Sequence, residues 1–301
     1  MLAFLFPGQG SQFVGMCKEE YETNPIARSI IDLVCEILGY DIKIPMFYGP
    51  EEALKMTLNT QLAIFLHSYV LLEKYKHLDP KGVAGHSLGE FSALVAAGCI
   101  TLKEGIRIIS VRAQAMHEAC ILNPGKMAAV FGIDEDELKR LCNKVNETLG
   151  KDSVWVANAN SDSQNVVSGT IEAINALIVL ITVYGKESGK KIKIRELPVS
   201  GAFHTSLMAS AANKLEEIMD KITFKDPIIP IYMNFDGERH TKASEIKNNS
   251  KMQLTNPVRW YKSNENMKRD GYHYAKEIGP GNKLNGLCKN IFDMDKYALV
   301  S

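Results

Sequence analysis

The chain has 301 residues, 46% of them hydrophobic, enough for one large domain or two moderate ones around a real core. Its 35 basic and 35 acidic residues cancel, so no global field directs it to nucleic acid or to an anionic membrane. Six scattered cysteines form no Cys-x-x-Cys pair and no His/Cys cluster at metal-ligand spacing. That pattern points away from a disulfide framework or bound zinc and toward a reducing cytoplasm, and no metal is expected.

The first residues, Met1–Phe6, are apolar, but Pro7-Gly8-Gln9-Gly10 cuts them short and no basic run precedes them. They read as a buried strand, Leu2–Phe6, rather than a signal peptide. The glycine-rich turn that follows lacks both Gly-Lys-Ser/Thr and Gly-x-Gly-x-x-Gly, so it carries no nucleotide signature. It offers instead a backbone N–H donor, at Gln9. Helical periodicity predicts helices at Ile26–Leu38 and Leu58–Tyr75. The longest apolar run, Ala176–Tyr184, is too short to span a bilayer.

Gly85-His86-Ser87-Leu88-Gly89 is the most informative stretch. The pair Val83-Ala84 precedes it, and Leu88, Phe91, Leu94 and Val95 follow at helical spacing before Gly98. A Gly-x-Ser-x-Gly between strand and helix is the setting of a nucleophile elbow. Its glycines permit a sharp turn, and its helix aims N–H groups at developing negative charge. His86 is assigned to packing and turn hydrogen bonding. Thr101 to Glu104 is a capping box opening a helix with Arg112 among small and apolar neighbours. A guanidinium buried there needs an anionic partner.

After Asn123-Pro124-Gly125 the pattern becomes compact. Strand Met127–Gly132, helix Asp134–Leu149, strands Val154–Asn158 and Asn165–Ser168, helix Ile171–Val183 and strand Lys191–Leu197 follow in turn. This β-α-β-β-α-β order is ferredoxin-like. The expected fold class is therefore α/β: an α/β-hydrolase-like large domain with a parallel sheet core, residues 1–124 and 198–301, and an inserted ferredoxin-like small domain, residues 125–197. The chain resumes with His204 after a strand-like run, helix Ser206–Lys221, strand Ile228–Asn234, a helix ending near Leu254, and strand Tyr274–Ile278. Ser87 needs a base, and histidine is the side chain that accepts and returns a proton near neutral pH, so His204 is the candidate. The aspartates between the two, Asp134, Asp136, Asp152 and Asp162, lie in the small domain, so a carboxylate is not the expected orienting group for the imidazole.

Phe6-Pro-Gly-Gln-Gly-Ser-Gln12, Gly85-His-Ser-Leu-Gly-Glu-Phe91, Val111-Arg112, Val199-Ser200 with His204, Gln253-Leu-Thr-Asn-Pro-Val258 and Gly279-Pro-Gly281 occur in one order over nearly the full length. In these motifs the sequence resembles the malonyl-CoA:acyl carrier protein transacylases of fatty-acid and polyketide synthesis. The resemblance implies that Ser87 becomes malonylated, with His204 as general base and then acid. It further implies an oxyanion hole of the Gln9 and Leu88 N–H groups, and Arg112 on the malonyl carboxylate. The imidazole would be oriented by a main-chain carbonyl near Gln253, with Asn256 close by, and Gln61 and Asn160 would line the acyl pocket. Phe203 is placed to crowd an α-methyl group. The basic run Lys190, Lys191, Lys193 and Arg195 is a candidate surface for the carrier protein or coenzyme A phosphates. The implied substrates are malonyl-CoA and a phosphopantetheinylated acyl carrier protein, with no bound cofactor and a monomer as default. A polyketide-synthase acyltransferase and a serine acyl hydrolase or thioesterase are the alternatives.

Overall fold

The computed structural model describes residues 1–294. Positions 295–301 of the expected large domain lie outside the described residues. Strand β1 (Leu2–Phe6) is buried throughout, because its five residues are all apolar and lie in the middle of a sheet. It leads through the glycine-rich turn to helices α1 (Lys18–Thr23), α2 (Pro25–Leu38), α3 (Glu51–Lys55) and α4 (Thr57–Tyr75). Strand β2 (Gly82–Gly85) pairs parallel to β1, with Phe6 opposite Gly85. Helices α5 (Gly89–Ala96) and α6 (Leu102–Leu122) follow, and Gly98 in the left-handed region (φ 74°) turns the chain between them. Both halves of the Thr101–Glu104 capping box are made at the start of α6.

The next segment builds its own sheet from β3 (Gly125–Phe131), α7 (Glu135–Leu149), β4 (Val154–Ala159), β5 (Gln164–Thr170), α8 (Ile171–Ser188) and β6 (Lys193–Glu196). All its pairings are antiparallel, in the order β4-β5-β3-β6. The chain then returns through α9 (Ala209–Asp220), β7 (Ile231–Tyr232), β8 (Arg239–His240), α10 (Ala243–Met252), α11 (Trp260–Arg269), β9 (Tyr274–Glu277) and α12 (Lys283–Cys288). The first sheet runs β8-β7-β2-β1-β9, parallel except for the edge strand β8. Entry to and exit from the antiparallel segment meet at one bridge, Pro124 opposite Gly201, where Gly125 N–H donates to the Ser200 carbonyl at 3.2 Å. Among the described residues, no helix is long and apolar enough to cross a membrane.

Several elements differ from the sequence expectation in their bounds, β6 being shorter and β5 longer, and three of the differences have a plain local cause. The strand expected over Ile228–Asn234 shrinks to Ile231–Tyr232, because Pro230 has no N–H to give and Asn234 turns its own N–H to a side chain. Helix α8 runs on to Ser188, since nothing before Gly189 (φ 68°) ends it. Its apolar stretch buries Ala173, Ile174, Leu177 and Ile181, while Val179 and Val183 stay exposed. The helix expected from Ser206 opens with a 3-10 turn, Ser206–Met208, capped by the Thr205 hydroxyl.

Two parallel strands ending side by side force their following loops together. A methyl group at Gly89 would lie 2.0 Å from the Phe6 carbonyl oxygen, and one at Gly85 equally close to Gly89 itself. Gly89→Ala is therefore expected to destabilise the fold by about 3 kcal/mol or more, since backbone on both sides blocks relaxation. Gly286→Ala, in α12 with nothing within 4 Å, should instead gain up to about 1 kcal/mol of helix propensity. Urea denaturation of both variants checks the pair; equal stabilities would contradict the packing.

Candidate active site

The register of Phe6 with Gly85 puts Gln9 and Leu88 each three positions past a paired strand end, in the two loops that touch. Between those loops Ser87 takes a left-handed backbone, φ 52°, the strain expected where an elbow lifts a side chain clear of its sheet. Among the described residues, no acceptor takes the Gln9 or the Leu88 N–H. Two unclaimed donors beside a hydroxyl are what an oxyanion requires.

His204, also left-handed at φ 60°, brings its Nε2 to 2.8 Å from Ser87 Oγ. Its Nδ1 lies 3.0 Å from the Gln253 carbonyl, which can only accept, so Nδ1 carries the proton and Nε2 is free to take one. The Asn256 backbone approaches the same ring, while the Asn256 side chain turns away to the Met252 carbonyl and the Thr255 hydroxyl. Burial, and then the charge of Arg112, lower the His204 pKa from 6.5 to about 3.

Arg112 is 1% exposed on α6. Its Nη1 donates to Gln61 Oε1 at 2.6 Å, and its Nη2 to Ser87 Oγ at 3.1 Å and Gln253 Oε1 at 3.3 Å. The Phe91 ring lies beneath it, and its Nε has no partner. Burial brings its pKa down to about 10, still protonated at neutral pH. Among the described residues, no carboxylate comes within ion-pair distance of this guanidinium. A buried cation without a counter-ion is costly, and this one lies one hydrogen bond from the Ser87 hydroxyl.

Two residues that sequence reasoning missed hold the elbow. Glu90, fully buried, accepts from the Asn234 N–H at 2.6 Å and from Gln253 Nε2 at 3.0 Å. Asn234 Oδ1 accepts the Ser87 N–H at 2.7 Å, and its Nδ2 donates to the Gly85 carbonyl at 2.7 Å. Gln253 Nε2 also donates to the Ser87 carbonyl at 2.8 Å. One carboxylate thus orients both amides that fix the nucleophile's backbone. Burial pushes the Glu90 pKa up to about 8, against the pull of its two donors and of Arg112. The signal was a lone acid on an otherwise apolar helix directly after the elbow; Asn234 gave none.

The other expected residues fall at different distances from this chemistry. Gln61 is buried against Arg112 and reaches Met116 Sδ with Nε2. Asn160 Oδ1 is held by His86 Nε2 at 2.8 Å, and the His86 ring stands edge-on to Trp260. His86 therefore packs and braces the turn, and Asn160 reaches the site through it. Phe203 lines a cavity of about 380 Å³ together with Gln9, Lys55, Lys126, Val199 and Ser200. Lys190, Lys191, Lys193 and Arg195 are exposed on the turn into β6 and on β6 itself, away from Ser87's hydrogen bonds, with Lys190 spent partly on Asp134 at 3.9 Å.

A serine paired with histidine, two free N–H donors and a buried cation at the ends of parallel strands define a class: enzymes that pass an acyl group through serine. A family model described as "Acyl transferase domain" matches residues 3–296. The malonyl CoA-acyl carrier protein transacylase of Bacillus subtilis (strain 168) is 40% identical over 302 residues, covering 100% of this chain and 93% of the relative. The crystal structure of FabD from Acinetobacter baumannii superposes with a TM-score of 0.89 at 34% identity, over 97% of this chain and 92% of that one. A type II polyketide-synthase acyl-carrier protein in complex with its malonyl-transacylase gives 0.88 at 35% identity, over 96% and 92%. The chain belongs to the acyl transferase domain family.

Glu90→Ala should slow serine acylation roughly 5- to 150-fold, by about the 1–3 kcal/mol that unpaired buried donors cost, although Ser87, His204 and Arg112 are untouched. Glu90→Gln, which keeps one acceptor, should recover part of that loss in single-turnover assays. Because the lowered His204 pKa keeps the imidazole neutral in acid, no limb should appear at the usual histidine value, and in Glu90→Gln, which removes the carboxyl raised to about 8, kcat/KM should stay flat from about pH 8 to about pH 5 and fall only below. An acid limb near 6.5 would contradict this environment for the base.

Proposed function

We propose that the chain transfers a malonyl group from malonyl-CoA to the phosphopantetheine thiol of an acyl carrier protein. The observation that carries this reading is Arg112: a buried guanidinium 3.1 Å from the nucleophile's oxygen and without a carboxylate of its own. It supplies a bidentate partner for an acyl group that ends in a carboxylate, and it penalises neutral acyl chains.

Ser87 Oγ attacks the thioester carbonyl while its proton passes to His204 Nε2, and the carbonyl oxygen becomes an oxyanion held by the Gln9 and Leu88 N–H groups. Collapse breaks the carbon–sulfur bond, and His204 returns the proton to the departing coenzyme A thiolate. The carrier's thiol then gives its proton to His204 and attacks malonyl-Ser87 by the same path in reverse. Gln253 serves twice, its carbonyl fixing the imidazole tautomer and its side chain steadying Arg112. Acyl transfer between thiols through serine asks for no electron sink or redox group, so no bound cofactor enters. We read the parallel sheet and its helices, residues 1–124 and 198–301, as an α/β-hydrolase-like domain, and residues 125–197 as a ferredoxin-like insert. The six free cysteines suit a cytoplasmic setting.

Intact-protein mass spectrometry after brief mixing with malonyl-CoA should show one malonyl adduct, absent in Ser87→Ala and discharged by holo carrier protein. Arg112→Ala should cut malonyl transfer by roughly two to three orders of magnitude, the loss expected for a buried charge pair, and narrow the gap between malonyl- and acetyl-CoA. Release of free malonate at the same rate with or without carrier would assign the chain to hydrolysis instead.

A further inference from the structure

No metal-ligand spacing exists along the sequence, but folding makes one. Cys17 is the N-cap of α1, Glu20 lies in the first turn of that helix, and His67 faces them from α4. One ligand atom from each, Cys17 Sγ, a Glu20 oxygen and a His67 ring nitrogen, all fall within 4.8 Å of one another. His67 Nε2 stands 4.0 Å from Glu20 Oε1. Three atoms so spaced have a common centre no more than about 2.8 Å from each, so closing by roughly half an ångström reaches zinc–ligand bond lengths.

His67 supplies the second, independent observation. It is 5% exposed, and among the described residues neither ring nitrogen makes a hydrogen bond and the buried Nδ1 has no partner. The nitrogen that stands nearer Glu20 is Nε2, which no hydrogen bond among the described residues occupies, so a cation between the thiol, the carboxylate and that nitrogen would meet an unused lone pair. Cys17 itself is 2% exposed and holds a left-handed backbone, φ 65°, that glycine would take without strain.

We propose that Cys17, Glu20 and His67 bind one zinc-class divalent cation, with water as the fourth ligand. A thiolate, an imidazole and a carboxylate at tetrahedral reach select zinc over magnesium or calcium. The thiol proton passes to solvent as the sulfur–metal bond forms. The cation ties the loop that carries Gln9 to α4, which carries Gln61 on the Arg112 side of the active site. Its role is to fasten two segments of the site, not to take part in acyl transfer.

The test is titration of the chelator-stripped protein with Co²⁺ and then Zn²⁺. One Co²⁺ should bind with thiolate-to-metal charge-transfer absorption, be displaced by Zn²⁺, and raise the melting temperature. Cys17→Gly suits the backbone at φ 65° and should fold without metal, yet bind at least a hundredfold more weakly and show no thermal shift. His67→Gln should lose the absorption too. Cys35→Ser, which removes the partly exposed thiol most open to stray metal, should keep it. No stoichiometric binding, or binding that survives Cys17→Gly or disappears in Cys35→Ser, overturns the proposal.

Discussion

A full positive charge one hydrogen bond from the Ser87 hydroxyl is the condition around which the site is arranged. Arg112 cannot neutralise itself at any ordinary pH, and α6 keeps it out of water, so its surroundings must compensate in other ways. They do so with neutral dipoles: the amide oxygens of Gln61 and Gln253 and the serine oxygen itself. Glu90, the nearest acid in its field, reaches it only through Gln253. The arrangement keeps the guanidinium soluble inside the protein without quenching it. A direct carboxylate partner would have stabilised the resting chain and blunted recognition of an acidic acyl group.

The same charge shapes the base. It adds to burial in holding His204 neutral, so the imidazole is ready to accept a proton. It also penalises the imidazolium that forms during attack. The Gln253 carbonyl beneath Nδ1 offsets part of that penalty, and in the function proposed above an incoming carboxylate that pairs with Arg112 offsets more. A substrate able to neutralise the arginine thereby makes the histidine a better proton carrier, and selection and chemistry become coupled through one ring.

Much of this was legible along the chain, for identifiable reasons. Strand β1, the elbow, the capping box of α6 and the helices α2 and α7, closed by Gly39 and Gly150, rest on local rules, and they appear where periodicity and turn chemistry place them. The pairing of Ser87 with His204 was inferable because each residue type has few uses beside the other. What could not be read depends on contacts between distant positions. Asn234 is an ordinary asparagine until β7 ends beside β2, and the short length of β7 reflects its surroundings as much as its apolar residues. Asn160 belongs to the elbow through His86, a contact that exists because a parallel bridge from Asn158 to Val258 ties β4 to the segment before α11. Cys17, Glu20 and His67 share no metal-ligand spacing along the chain, and only folding brings α4 to the start of α1.

The bridge between Pro124 and Gly201 closes the antiparallel segment where the chain enters and leaves it. His204 stands three residues beyond it, and Ser200 and Phe203 border the cavity on the way. The chain therefore returns beside the point where it left, and the parallel bridge from Asn158 to Val258 adds a second tie to the residues before α11. The base thus takes its place from the junction of the two sheets, whereas the nucleophile takes its place from the end of β2.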